Sequence, residues 1–210
     1  KPATQTPLSM LALAGIMTEA GLPEGVLNVV TTSHTGQVMG ELINDSRLRK
    51  LSFTGSTEVG KKLVAQSAEQ LLRISMELGG NAPFLVFGDA DLDAAVDGAM
   101  LAKMRNMGEA CTAANRFIVH ESVADEFSRR LADRMGALTV GRGTQDGIDV
   151  GPLVDRPSQV KVGELVQDAV DRGATVLTGG GTVGEQGYFF APTVLKNVAP
   201  DTRLLAEEIF

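Results

Sequence analysis

Residues 51–76 have the sequence LSFTGSTEVGKKLVAQSAEQLLRISM, which reads as a strand, a helix and a second strand. The first strand runs to Thr54 and stops before Gly55, the helix covers residues 57–70, and residues 72–76 favour another strand. A β-branched run over residues 26–32 predicts an earlier strand, with a further helix between the two. Because two strand–helix–strand units follow one another, the sequence predicts a parallel sheet.

The rest of the chain continues this alternation. At the start, Thr6 is the expected N-cap and Pro7 the first residue of a helix whose apolar face consists of Leu8, Leu11, Ala12 and Ile16. Later strands are predicted over residues 83–87, 116–120 and 174–177. Three later helices are predicted. The first has an apolar stripe formed by Leu92, Ala95, Val96, Ala99, Met100 and Met104, and the second covers residues 122–135, with Ser122 and Asp125 as a capping box. The third runs from Pro157 to Gly173, and its inward face is expected to consist of Val162, Leu165, Val166, Ala169 and Val170. Residues 141–151 form a loop, and Gly79-Gly80 is the predicted boundary between two α/β lobes.

Composition narrows the possible functions. The 210 residues carry 19 Lys and Arg against 26 Asp and Glu, and this net charge of −7 argues against a nucleic-acid partner. No apolar run approaches the roughly 20 residues of a membrane span, and no signal peptide opens the sequence, so we expect a soluble, cytoplasmic protein without a membrane partner. One cysteine cannot form an internal disulfide, and His34 and His120 are 120 − 34 = 86 residues apart, so no metal site is expected.

Three local features suggest chemistry, and each has an ordinary alternative. Residues 55–60, Gly-Ser-Thr-Glu-Val-Gly, lie between a strand and a helix, where helix N–H groups attract phosphate, but a turn with an N-cap has the same pattern. Cys111 follows a long helix and is either a nucleophile or a small buried side chain; a cysteine hydrolase would need His34 or His120 as base. Glu77 ends a strand beside Gly79 and is either a general base or a solvated carboxylate.

Five motifs together resemble the aldehyde dehydrogenase superfamily. Residues 76–81, Met-Glu-Leu-Gly-Gly-Asn, match its glutamate signature, and residues 105–111, Arg-Asn-Met-Gly-Glu-Ala-Cys, match its cysteine signature. The other matches are Lys1-Pro2-Ala3, Phe53-Thr54-Gly55-Ser56-Thr57 and Glu207-Glu208-Ile209-Phe210. The resemblance implies an aldehyde dehydrogenase-like α/β fold, with a parallel Rossmann-type sheet portion and a second α/β catalytic lobe. Residues 1–79 would then be the second part of the dinucleotide-binding domain, and residues 80–210 the first part of the catalytic domain.

The resemblance also assigns roles to individual residues. Cys111 would add to the aldehyde carbon, and Glu77 would activate the water that hydrolyses the resulting thioester, with both facing one cavity of the complete molecule. The cofactor would be bound by Lys1 at the adenosine ribose, by the Gly55, Ser56 and Gly60 motif at the pyrophosphate, by Leu78 at the carboxamide, and by Glu208 and Phe210 at the nicotinamide ribose. Leu78 and Phe210 have packing as their alternative role. Many NAD-preferring members carry glutamate three residues after the lysine, whereas Thr4 is neutral, so NADP is favoured over NAD.

Arg105 carries the prediction about the substrate. Succinate-semialdehyde dehydrogenases of this family have arginine six residues before the cysteine, where it pairs with the distal carboxylate; a solvated helix face is the alternative. Succinate semialdehyde is therefore the expected aldehyde, with glutarate semialdehyde as an alternative. Two positions depart from the family pattern: Glu109 replaces the usual glutamine, and Ala113 stands where some members have a second cysteine, so no disulfide switch is possible in this chain.

Family members are about twice this long, so we expect the chain to be a piece of a longer enzyme. The isolated piece is expected to be inactive, since the resemblance places an oxyanion-binding asparagine in the missing part, and the full-length protein is expected to form homo-oligomers. A nucleotide-binding module without catalysis remains a competing hypothesis. The presence of both Cys111 and Glu77 favours the enzyme, because a module would need neither.

Overall fold

The computed structural model describes every residue from Lys1 to Phe210. The chain divides into two compact units, Lys1–Glu77 and Leu78–Phe210. The sequence placed a boundary between residues 79 and 80, and the assignment of the two segments to cofactor and catalytic domains stays a prediction. None of the helices is both long and apolar enough to cross a membrane.

The first unit contains the strand–helix–strand segment that the sequence predicted. Its helices are α1 (Pro7–Glu19), α2 (Thr35–Asn44) and α3 (Thr57–Ser67), and its paired strands are β1 (Lys50–Gly55) and β2 (Arg73–Leu78). The small core consists of buried Ile43, Leu51 and Leu72, surrounded by partly buried Met39, Leu48, Leu63 and Met76. The predicted helix over residues 57–70 ends earlier, at Ser67, because Leu71 adopts a left-handed backbone with φ of 50°.

The predicted strand over residues 26–32 is wrong. This segment is irregular, and Val26 and Val30 are exposed. Local turns use its polar groups instead: the Val26 N–H donates to the Pro23 carbonyl, and the Asn28 amide donates to the Gly25 carbonyl at 2.8 Å. A strand needs a partner for its backbone groups, and no strand of this chain lies beside it. The predicted apolar face of α1 is likewise exposed, and Thr6 precedes the helix without a side-chain cap bond.

The first half of the second unit is a parallel strand–helix–strand arrangement. Its elements are β3 (Ala82–Val86), α4 (Leu92–Met104), a 3₁₀ turn (Arg105–Gly108), β4 (Ala114–Val119) and α5 (Glu121–Gly136). Strands β3 and β4 pair in parallel, which confirms that expectation for this part of the chain. The predicted stripe of α4 packs into the core around Val86, Phe127, Leu131 and Met135. The capping box was wrong, because the N-cap of α5 is His120, whose Nδ1 accepts from the Ser122 N–H.

The second half of this unit departs from the parallel pattern. Helix α6 (Arg156–Asp171) is followed by β5 (Thr175–Thr178), which pairs antiparallel with β6 (Val194–Lys196), a short strand that the sequence did not predict. Leu165 and Ala169 of α6 are buried against Ala174 and Leu204, as the helical pattern predicted. Val170 was expected to point inward and is instead exposed. A second 3₁₀ turn (Arg203–Leu205) precedes the last residues of the chain.

Candidate active site

Cys111 lies on a short loop whose backbone is strained. Three consecutive residues, Asn106, Met107 and Gly108, have left-handed φ values of 52°, 61° and 85°. Because asparagine tolerates this conformation, the strain falls mainly on Met107, where such a backbone costs about 1–3 kcal/mol and persists only if its surroundings hold it. Here the Asn106 amide donates to the Glu109 carbonyl at 2.8 Å, and the Gly151 N–H donates to the Met107 sulfur at 2.8 Å. Cys111 is therefore exposed directly after a backbone segment that these two hydrogen bonds hold in place.

Arg105 reaches the residue next to the cysteine. It is the C-cap of α4, and its Nη2 donates to Thr112 Oγ1 at 3.3 Å. The guanidinium is exposed and forms no ion pair, so its remaining donors are available to a bound anion. The structure thus brings two of the predicted site residues, Arg105 and Cys111, onto one loop.

Two charged side chains near this loop are desolvated. Burial lowers the pKa of the Lys103 ammonium to about 8, and burial raises the pKa of the Glu109 carboxyl. Both residues line a cavity of about 680 Å³. Sequence reasoning missed Lys103, although the signal was present: position 103 falls four residues after Ala99, on the apolar stripe of α4.

The C-terminal residues pack against Gly79 and helix α6 of the same unit. The Glu208 carboxylate lies directly against Gly79, in the space that a Cβ on this residue would take. The Glu208 carbonyl accepts from Lys161 Nζ at 2.8 Å. Glu208 therefore lies against Gly79, the residue after Leu78, and the assignment of Leu78 and Glu208 to the cofactor stays a prediction. Phe210 is 52% exposed and also lines the cavity.

The junction of β1 and α3 in the first unit has the predicted strand–turn–helix geometry. Ser56 is the N-cap of α3, and its Oγ accepts from the Val59 N–H at 3.4 Å. A Cβ at Gly55 would lie 2.5 Å from Phe53 Cζ, so a larger residue there would require the Phe53 ring to shift. Gly60 is buried in the helix, and its N–H donates to the Ser56 carbonyl at 3.0 Å. The cap observed here is the ordinary role of such a motif, and phosphate binding stays a prediction.

Three further predicted site residues lie in the first unit. Lys1 Nζ donates to Thr4 Oγ1 at 3.3 Å, and no carboxylate forms an ion pair with Lys1. Both side chains are exposed, which leaves a cation and a neutral hydroxyl side by side. Glu77 is an exposed residue of β2, one position before the strand ends at Leu78.

The alternative chemistries find little support in the geometry. His120 caps α5 and its Nδ1 is 2.9 Å from Ser122 Oγ, so the one histidine of the second unit is not paired with Cys111. His34 stands before α2 with its Nδ1 3.2 Å from Ser33 Oγ. No group of three or more His, Cys, Asp and Glu side chains is arranged to hold a metal ion.

Parallel pairing of β3 with β4 across helix α4, and a glycine–serine turn between β1 and α3, are typical of α/β enzymes that bind dinucleotides. The family model described as "Aldehyde dehydrogenase family" matches residues 1–210. The chain belongs to the aldehyde dehydrogenase family and has its α/β fold.

Three curated relatives align with the whole chain. A succinate-semialdehyde dehydrogenase of Paenarthrobacter nicotinovorans is 58% identical over 210 residues, which are 47% of its length. A glutarate-semialdehyde dehydrogenase of Pseudomonas putida is 49% identical over 43% of its length. An NADP(+)-dependent succinate-semialdehyde dehydrogenase of Escherichia coli is 48% identical, also over 43% of its length. The chain therefore spans less than half the length of these relatives.

A solved structure supports the fold. The crystal structure of a succinate-semialdehyde dehydrogenase from Burkholderia pseudomallei superimposes with a TM-score of 0.93 at 47% identity. The match covers 99% of this chain and 43% of that one.

Proposed function

We propose that the protein oxidises an aldehyde bearing a distal carboxylate, with succinate semialdehyde as the preferred substrate, to the corresponding diacid. The observation that carries this proposal is the Arg105 guanidinium, which lies on the Cys111 loop at 3.3 Å from Thr112 Oγ1 without an acidic partner. A guanidinium recognises a carboxylate through two parallel hydrogen bonds, which sets the orientation of the aldehyde group at the other end of the substrate.

The relatives support a semialdehyde substrate with a distal carboxylate, but they differ in the length of its carbon chain. Two of them are named for succinate semialdehyde and one for glutarate semialdehyde, and their identities to this chain are 58%, 48% and 49%. The Arg105 guanidinium would bind the distal carboxylate, and a substrate that is one methylene longer carries the same carboxylate. Glutarate semialdehyde is therefore the alternative substrate.

Cys111 is proposed as the nucleophile. An aldehyde releases hydride only after its carbon becomes tetrahedral, and a thiolate forms such an adduct readily and later leaves readily. The Cys111 Sγ would bond to the aldehyde carbon to give a thiohemiacetal, and the Cys111 backbone N–H would donate to the developing alkoxide. Loss of hydride converts this adduct into a thioester on Cys111. The exposure of the thiol supports this role.

Glu77 is proposed as the base of the second half-reaction. Its carboxylate would accept a proton from a water molecule as the water oxygen bonds to the thioester carbon. The Cys111 thiolate then leaves and the diacid is released. The support for this role is the exposed position of Glu77 near the end of β2, together with the match of residues 76–81 to the family signature.

The residues of the chain fit NADP, with NAD as the alternative. A bound nicotinamide dinucleotide supplies the hydride acceptor. Lys1 and Thr4, in contact at 3.3 Å, offer a cation and a hydroxyl to the 2′-phosphate, and no carboxylate is paired with Lys1 to repel it. Gly55 and Ser56 at the start of α3 would hold the pyrophosphate, and Leu78 and Glu208 the nicotinamide end.

We further propose a cytoplasmic, homo-oligomeric protein. The lone, exposed Cys111 suits a reducing compartment. The apolar side chains on α1, among them Leu8 and Ile16, are exposed and suit burial against a further surface. Light scattering on the purified full-length gene product tests the oligomeric state, and a monomer would contradict it.

Substrate recognition is tested by Arg105→Ala in the full-length gene product. Loss of a charge-assisted pair costs about 1.5–3 kcal/mol, so kcat/KM for succinate semialdehyde should fall roughly 10- to 150-fold, mainly through KM. Butanal has the same carbon number and no carboxylate, and its kcat/KM should change little.

The matched control is Arg142→Ala, which removes another exposed arginine without an ion pair from a loop of the same unit. It should leave both substrates unaffected. An equal loss for succinate semialdehyde and butanal in Arg105→Ala would refute the assignment of Arg105.

A further inference from the structure

The two asparagines at the start of β3 and β4 form a hydrogen-bond network that neither the catalytic nor the cofactor roles explain. Asn115 Nδ2 donates to Asn81 Oδ1 at 2.9 Å and to the Ile209 carbonyl at 3.1 Å. Asn81 Nδ2 donates to the carbonyls of Leu204 and Glu207 at 3.1 and 2.8 Å. These two amides therefore fasten the segment of residues 204–209, which carries Glu208, to the strands.

A local irregularity of the sheet sets this arrangement. Strand β4 pairs Ala114 with Ala82 and Arg116 with Pro83, which leaves Asn115 as an extra residue between two registered pairs. Proline has no N–H to offer a neighbouring strand, and such bulges re-aim a side chain. The Asn115 side chain is aimed at Asn81 and Ile209 as a result.

Lys103 extends the network to the cysteine loop. Its Nζ donates to Asn115 Oδ1 at 2.6 Å, and no carboxylate neutralises it. The same Nζ lies 3.0 Å from the position that a Cβ on Gly108 would take, within the left-handed run that leads to Cys111. Burying a lysine without an acidic partner is unfavourable, as the lowered pKa of its ammonium also indicates. The Lys103 amine is therefore hydrogen-bonded to Asn115 and lies beside Gly108 of the cysteine loop.

We propose that Lys103, Asn115 and Asn81 are positioning residues that hold the Cys111 loop and residues 204–209 in one fixed relation, so that dinucleotide binding at Glu208 changes the reactivity of the Cys111 thiol. The inference rests on the proposed function, because it needs Glu208 to contact a bound dinucleotide. The route is short and continuous: residues 204–209 contact the two amides, Asn115 contacts Lys103, and Lys103 contacts the loop that leads to the thiol.

The test measures the coupling between the two ends of the network in the full-length gene product. The rate of Cys111 alkylation by iodoacetamide is followed by peptide mass spectrometry with and without saturating NADP+, and NADPH affinity is measured separately by fluorescence titration. In the unsubstituted protein NADP+ should change the alkylation rate by about fivefold or more. In Lys103→Met and Asn115→Ala this ratio should approach one, while the NADPH dissociation constant changes by less than about threefold.

Two further variants separate positioning from folding. Asn115→Asp keeps the acceptor for Lys103 and loses both amide donors, so its ratio should also fall although its volume is unchanged. Asn28→Ala removes an exposed amide-to-carbonyl bond of the same kind, 2.8 Å long, in the first unit, and should keep the full ratio.

The outcomes are distinguishable. A full ratio in the Lys103 and Asn115 variants, even with a lowered melting temperature, would leave these residues with a structural role only and overturn the inference. The absence of any NADP+ effect in the unsubstituted protein would overturn it as well. Failure of the unsubstituted protein to bind NADPH at all would remove the proposed function, and this inference with it.

Discussion

At the scale of single residues, the sequence proposed candidate reactive side chains and missed the polar side chains that hydrogen-bond around them. Cys111, Glu77 and Arg105 were proposed because the motifs that contain them resemble family signatures, whereas residue type alone left each of them an ordinary alternative. Lys103 and Asn115 were missed because their importance depends on burial and on a shift in strand register. Neither property is visible in residue type, since most lysines and asparagines are solvated.

The buried Lys103 predicts a pH dependence of stability. Its pKa is about 8 in the folded chain against an ordinary value of 10.5. At pH 7 both folded and unfolded states are protonated and the burial penalty is fully present. As the pH rises through 8, the folded state loses this proton first, so the free energy of unfolding should increase by about 2 kcal/mol between pH 7 and 9.5.

Urea unfolding of the chain and of Lys103→Met at both pH values measures this effect. The other charged residues lining the same cavity, Glu109, Arg116 and Lys196, are common to both proteins and cancel in the comparison. The chain should gain about 2 kcal/mol relative to Lys103→Met between the two pH values. An unchanged difference would show that Lys103 is solvated.

At the scale of elements, the predicted helices and strands agree with the structure where the local residue pattern is sufficient. They fail where the structure of a segment depends on whether another strand lies beside it. Strand β1, helix α3 and strand β2 were all predicted, because a strand pattern, a cap at Ser56 and the helical spacing agree. The stripe of α4 was predicted completely for the same reason. Residues 26–32 have strand-like side chains but no neighbouring strand, and β6 has only three residues, too few to show a period.

The end of α3 offers a test of local backbone strain. Leu71 adopts φ of 50° while 88% of it is exposed, so its side chain contributes little burial to offset the strain. Leu71→Gly should raise the free energy of unfolding by about 0.5–1 kcal/mol. Glycine removes the left-handed strain of the folded chain, and this gain is partly offset because glycine adds conformational entropy to the unfolded chain.

Asn197→Gly is the matched control, because Asn197 has a similar φ of 58° and asparagine tolerates this conformation well. Urea unfolding should show little change for it. A loss of stability in Leu71→Gly would indicate that the Leu71 side chain packs more than its exposure suggests.

At the scale of the whole chain, two separate cores stabilise two units. The first unit has three buried apolar residues at its centre, Ile43, Leu51 and Leu72. The second has a six-residue cluster that includes Phe127 and a further cluster around Leu165. A parallel sheet was predicted from the first eighty residues; parallel pairing is observed between β3 and β4, whereas β5 and β6 pair antiparallel.

Separate cores predict separate responses to core substitutions. Ile43→Ala and Phe127→Ala each remove a side chain that is 1% exposed, at an expected cost of about 2–5 kcal/mol. Hydrogen exchange followed by mass spectrometry should show faster exchange in residues 35–78 for Ile43→Ala. For Phe127→Ala, the increase should lie in residues 82–136. Faster exchange in both units for either variant would indicate one cooperative unit.

The solitary sulfur atom of this chain has a practical consequence. Cys111 is the only thiol of the chain and is exposed on a loop held by Asn106 and Met107. One equivalent of a maleimide dye would therefore label the chain at this one position. The emission of that dye would report on local polarity beside Arg105 and Thr112 in real time, without any engineered attachment point.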